Sequence, residues 1–128
     1  MIVAGVGCRR GGAAADIETA ILSALAQAAL TPAALDAIAT IPAKEDEGGI
    51  AAAAAKLGVA LIVVPEAELQ AADARTLTRS PRVEAATGLG SVAEAAALAA
   101  AGPSGRLIAA RLVVGSATCA LARSDGAS

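Results

Sequence analysis

Short runs of Val, Ile and Leu alternate along this chain with alanine-rich stretches in which bulkier apolar residues recur at helical spacing. Residues 2–6 form a short apolar run that predicts a buried strand. Across residues 13–29, Ile17, Ile21 and Leu25 repeat every four positions with Ala24 and Ala28 beside them. Asp16, Glu18 and Gln27 fall elsewhere around the wheel, the pattern of an amphipathic helix. Thr31-Pro32 opens a short helical turn, and residues 37–41 supply a second strand ended by Pro42. A charged loop, Lys44-Glu45-Asp46-Glu47-Gly48-Gly49, leads to a helix over residues 50–57 that Gly58 terminates. Residues 59–64 are continuously apolar, which predicts a strand covered on both faces.

Pro65-Glu66-Ala67-Glu68-Leu69 begins a short helix with acidic residues in its first turn. Residues 71–90 are the least regular, basic in the middle with Arg75, Arg79 and Arg82. Ser91-Val92-Ala93-Glu94 has a capping-box spacing and opens a helix to about residue 101. Two β-type runs, residues 106–114 and 117–123, are joined by Gly115-Ser116 as a hairpin. Strand and helix alternate until that hairpin closes the chain. The expectation is an α/β fold: a three-layer α/β/α sandwich with a mixed, mainly parallel sheet ending in a β-hairpin. Residues 1–123 form one domain, and residues 124–128 a disordered tail.

Composition narrows the function classes. The chain has 128 residues and no Phe, Tyr, Trp or His. Without aromatic stacking platforms, and with a net charge of -2, it does not suit nucleic acid. A mean hydropathy of +0.65 looks membrane-like, but no apolar run approaches the ~20 residues that cross a bilayer. The arginines follow the first apolar stretch instead of preceding it, unlike a signal peptide. A soluble, cytoplasmic protein that does not engage membranes is expected. Cys8 and Cys119 lie far apart, with no Cys-x-x-Cys spacing. That argues against a zinc site and a disulfide, and a Ser or Cys nucleophile would have no His as its base. Neither a cofactor nor a bound metal is expected.

The candidate chemistry begins at the carboxyl end of the first strand. Gly5-Val6-Gly7-Cys8-Arg9-Arg10-Gly11 resembles the start of a dinucleotide fingerprint, but Arg10 stands where the third glycine belongs. No Gly-Lys-Ser/Thr follows, so a phosphate-binding Walker loop fails as well. Two arginines between a strand end and a helix start suit an anion better. The competing reading is a tight strand-to-helix turn with its arginines in solvent. Lys44 and Glu47 follow the second strand and should project over the same sheet edge as Cys8 and Gly11. Gly88, Gly90 and Ser91 form a second glycine loop before a helix start. Glu94 is accounted for by its capping role.

Gly5–Gly11, Lys44 with Glu47-Gly48, Gly90-Ser91-Val92-Ala93-Glu94-Ala95-Ala96 and Thr118-Cys119-Ala120-Leu121-Ala122-Arg123 occur in that order. Together they resemble the CobE/CbiG C-terminal-domain family of cobalamin biosynthesis over almost the whole chain, and within it the stand-alone CobE type. The resemblance implies a protein that binds or carries precorrin intermediates, with neighbouring corrin-pathway enzymes as partners. CbiG-type proteins open a ring lactone in cobalt-precorrin-5A and release acetaldehyde, so a hydrolase is the alternative. This chain lacks the additional N-terminal regions of a full CbiG protein. One departure from the family pattern is Arg111, where a lysine is expected. Charge survives there, but a role needing a deprotonatable amine would not.

A precorrin carries acetate and propionate carboxylates around a flat macrocycle. The expected ligand-binding set is Gly5, Gly7, Cys8, Arg9, Arg10, Gly11, Lys44, Gly88, Gly90, Ser91, Arg111 and Thr118. In the hydrolytic reading Glu47 activates water, and Lys44 or Arg9 stabilises the developing negative charge. Cys8 is the only soft metal ligand near this edge, and no metal ligation is assigned to it.

Overall fold

The apolar runs pair side by side in one sheet. The computed structural model describes residues 1–8, 11–42, 47–77 and 91–124. Its strands are β1 (Ile2–Cys8), β2 (Ala37–Thr40), β3 (Ala60–Val63), β4 (Gly105–Val114) and β5 (Ala117–Ser124). Its helices are α1 (Ala14–Gln27), α2 (Gly48–Leu57), α3 (Glu66–Asp73) and α4 (Val92–Ala101), with a 3₁₀ turn at Pro32–Ala34. The sheet order is β3-β2-β1-β5-β4. β1, β2 and β3 run parallel, while β5 is antiparallel to both β1 and β4. The expected mixed α/β sandwich is what forms.

The period-two alternation of β1 sorts the two cores. Ile2, Ala4 and Val6 face a cluster with Ile17, Ile21 and Leu25 of α1 and Ile50 of α2. Val3 faces the other side, with Leu69 of α3 and Ala96, Ala97 and Leu98 of α4. The chain travels outward from β1 to β3 with α1 and α2 on one face, then returns to the far edge with α3 and α4 on the other. Reversing direction while keeping crossover hand requires that change of face.

Helix ends follow local chemistry. After α2, Gly58 takes a left-handed conformation and the Val59 N–H donates to the Ala54 carbonyl at 3.1 Å. After α1 the same closure forms on an alanine. Ala29 has φ 59°, and the Leu30 N–H donates to Leu25 O at 2.8 Å. Both of these leucines pack in the same core, which offsets the steric cost of a Cβ at positive φ. In the hairpin, Gly115 carries the positive φ (55°) and Ser116 does not, the pattern of a type II′ turn.

Two expectations change. The continuous run at residues 59–64 forms the edge strand β3, none of whose residues is fully buried. Its apolarity reflects two half-covered faces, whereas the central strands β1 and β2 achieve burial with Ala and Gly. β5 also runs through Ser124, whose N–H donates to Met1 O at 2.9 Å. Ser124 therefore belongs to the sheet, and residues 125–128 lie outside the described residues.

The closest packing in the fold is α4 against β1. A Cβ on Gly5 would collide with the Ala93 carbonyl and stand 2.6 Å from the Ala97 nitrogen. Gly5→Ala is therefore expected to cost about 1–3 kcal/mol, as overpacking does. Gly48, in the first turn of α2 with open space around it, should accept alanine with no loss or a gain of up to about 1 kcal/mol. Urea unfolding of the two variants beside wild type checks both values.

Candidate functional site

The parallel pairing of β1 and β2 brings their carboxyl ends to one edge of the sheet, and the loops that follow are tied together. The Gly11 N–H donates to Glu47 Oε2 at 2.9 Å. Gly49, in the first turn of α2, lies against the Gly12 carbonyl with no space for a side chain. Buried Thr40, at the end of β2, donates its hydroxyl to Val6 O at 3.0 Å. Glu47 sits at the N-cap position of α2, yet its carboxylate makes no cap bond and instead accepts from the β1 loop.

On the other side of β1, the hairpin turn reaches the same edge, because Cys8 pairs with Ala117. Asp16, in the first turn of α1, accepts from the Ser116 N–H at 3.0 Å and the Ser116 hydroxyl at 2.9 Å. These bonds hold the Asp16 carboxyl below its ordinary value near 3.8, the backbone bond contributing most. Thr118 donates its hydroxyl to Gly7 O at 3.4 Å.

The start of α4 lies above this edge. Ser91 is buried at the N-cap and its Oγ accepts from the Glu94 N–H at 3.3 Å. Val92 Cγ1 would be 3.4 Å from a Cβ on Gly7. Gly7 thus lets the helix start and Thr118 meet over the strand. β1 is also where the strand order turns, since its crossover leads to β2 and its other neighbour, β5, arrives only after the chain's return. In open α/β sheets such a turning point, outside the strand carboxyl ends, is where ligands bind.

The structure therefore brings together Gly7, Cys8, Gly11, Glu47, Ser91 and Thr118. Gly5 lies on the same strand but further in, beneath α4, where its lack of a side chain serves packing. Arg111 sits in β4, inside an irregular stretch where the pairing with β5 shifts between Ala109 and Leu112. Arg9, Arg10, Lys44, Gly88 and Gly90 lie outside the described residues. Cys8 is half-buried at the edge. Cys119 faces the core, and burial pushes its thiol up to about 12.

Glu94 does more than its spacing predicts. It is fully buried. Oε1 accepts from the Leu77 N–H at 2.7 Å and Oε2 from the Arg111 N–H at 2.9 Å. The capping pattern located the residue but not these partners, which lie in other elements. Asp16 was legible only as an acidic residue in a first helical turn; that it clamps a hairpin a hundred residues away leaves no local signal.

A mixed-sheet α/β sandwich with its loops gathered at the carboxyl edge of β1 defines the class of domain. Residues 2–122 match the family described as cobalamin synthesis G C-terminus. The chain belongs to that family and is a cobalamin biosynthesis protein. It is 37% identical over 121 residues to Protein CobE of Sinorhizobium sp, covering 94% of this chain and 79% of that one. A crystal structure of CobE from the cobalamin biosynthetic pathway superposes with a TM-score of 0.89 at 36% identity, covering 96% of this chain and 89% of that one. A cobalt-precorrin-5A hydrolase of Priestia megaterium is 36% identical over 69 residues, which is 54% of this chain and 18% of the hydrolase. Among the described residues, no helix is long and apolar enough to cross a membrane.

The Asp16 clamp has a pH signature. A carboxyl whose folded pKa is depressed adds stability above its unfolded pKa and loses it as pH falls through the folded value. The stability advantage of wild type over Asp16→Asn should be full at neutral pH and shrink only below about pH 3.8, the ordinary carboxyl value. Urea midpoints of the two proteins across pH 2–7 read this directly. An advantage unchanged at low pH would contradict the clamp.

Proposed function

We propose that the chain binds a precorrin intermediate by its peripheral carboxylates at the carboxyl edge of β1 and carries it between corrin-pathway enzymes in the cytoplasm. The observation that carries this reading is the Gly11–Glu47 hydrogen bond. It joins two loops that bear Arg9 and Arg10 just before Gly11, and Lys44 three residues before Glu47. Cations in the sequences of both joined loops suit a ligand with several carboxylates on its rim better than one with a single anionic group. The family assignment supports a corrin-pathway ligand.

The partial match to a cobalt-precorrin-5A hydrolase supports a second reading, lactone opening with Glu47 as base. The bond from Gly11 to Glu47 favours the carrier, because it gives that carboxylate a loop-positioning role. A fold and family alone do not establish chemistry.

Absorbance titration with a precorrin tests the proposal, since an aromatic-free protein absorbs little where tetrapyrroles absorb strongly. Arg9→Ala should weaken binding by about 1.5–3 kcal/mol, the range for hydrogen bonds to charged groups. Arg111→Ala should weaken it comparably if that strand position reaches the ligand, and added salt should weaken it where the contacts are exposed. Arg123→Ala should have little effect, because Arg123 pairs with Ile2 at the opposite end of the sheet. Equal affinities for wild type and Arg9→Ala would reject the edge as the site. Acetaldehyde released in the same incubations would favour the hydrolase over the carrier.

A further inference from the structure

Glu94 carries a carboxylate into the interior of an otherwise apolar helix. Helix α4 reads Val-Ala-Glu-Ala-Ala-Ala-Leu-Ala-Ala-Ala, so Glu94 is its only polar side chain, and it lies wholly inside. Burying a carboxylate carries a large desolvation cost that an apolar residue of similar volume would avoid. Its position in the first turn, near the positive end of the helix dipole, offsets part of that cost. Two backbone N–H groups offset more, those of Leu77 and Arg111.

One of these partners, Arg111, belongs to the expected ligand-binding set. Between Leu107 and Leu112, β4 has more residues than the stretch of β5 it faces, Cys119 to Ala122. Such a bulge disrupts the ladder locally and re-aims side chains. The Arg111 N–H falls in this stretch and is taken up by Glu94 Oε2. The other oxygen holds Leu77, and the Glu94 N–H itself closes the Ser91 cap. One residue thus fixes the bulge, the start of α4 and the chain at Leu77 relative to one another. A helix selected for packing alone would carry Ala or Leu there and leave β4 regularly paired.

We propose that Glu94 is a positioning residue for ligand binding. By holding the bulge at Arg111 against the first turn of α4, it sets where Arg111 meets the carboxylated ligand. This rests on the carboxylate-binding reading and assigns a residue that acts through Arg111 without touching the ligand. Two consequences separate it from a purely structural role. Its loss should matter to binding only while Arg111 is present, and ligand should slow exchange at the Arg111 and Leu77 amides.

The test uses the full chain, a precorrin as probe and three variants: Glu94→Gln, Arg111→Ala and the double. Gln presents an NH₂ to one of two N–H donors and so releases one of them. The expected result is a Kd raised by the same factor, more than about tenfold, in Glu94→Gln, in Arg111→Ala and in the double alike, because the two residues act as one. Amide exchange on wild type is the second measurement and needs no variant to fold. Saturating probe should slow exchange at Leu77 and Arg111 more than at buried core amides. Glu94→Gln binding like wild type, losses that multiply in the double, or no probe-dependent slowing at these amides would each overturn the inference. Failure of wild type to bind the probe would instead overturn the carboxylate-binding reading on which it rests.

Discussion

The backbone of α4 lies so close to β1 that Gly5 has no room for a Cβ, and much of the molecule depends on that approach. It is possible because α4 is almost entirely alanine and because no aromatic side chain anywhere holds helix and sheet apart. Small residues give little area each, so this core relies on many close contacts in place of a few large ones. The approach also fixes position. With Ala93 seated over Gly5, the helix start falls above Gly7, and Glu94 comes within reach of the bulge in β4.

From beneath, α1 and α2 contribute to the same edge by different means. Asp16 clamps the hairpin turn, and the contact of Gly49 with Gly12 brings the start of α2 against the loop after β1. Helix starts from both faces of the sheet and the loops after β1 and β2 therefore converge on one end of β1. The opposite end is closed by Asp36, whose carboxylate accepts from the Ile2 N–H at 2.7 Å and whose own N–H donates to the Ile2 carbonyl at 2.9 Å. Under the proposed function, this asymmetry gives one end of the sheet to recognition of a carboxylated ligand and the other to closure.

Much of the fold was legible in the sequence because its signals were local. The four-residue spacing of Ile17, Ile21 and Leu25, the stop at Gly58, the Ser91 cap and the hairpin turn at Gly115-Ser116 each depend on a few neighbouring residues. Strand placement was not local. The run at residues 59–64 looked like a strand covered on both faces but is a half-covered edge, while Gly5 and Ala4 sit in the middle of the sheet. Apolarity reports desolvation of side chains and says nothing of how many neighbours a strand has. The candidate site was partly legible for the same reason. Gly7, Cys8, Gly11 and Glu47 follow from two parallel strands ending side by side, whereas the bonds of Glu94 and Asp16 join segments no spacing rule connects.

Under the proposed function, the carboxyl edge of β1 receives the ligand. An amide chemical-shift titration of the uniformly labelled chain with a precorrin tests it most directly. The shifts should concentrate at Gly7, Cys8, Gly11, Ser91 and Thr118 and leave Ile2, Asp36, Gly105 and Arg123, at the other end of the sheet, unmoved. Shifts centred on that opposite end, or spread evenly over the surface, would contradict the claim.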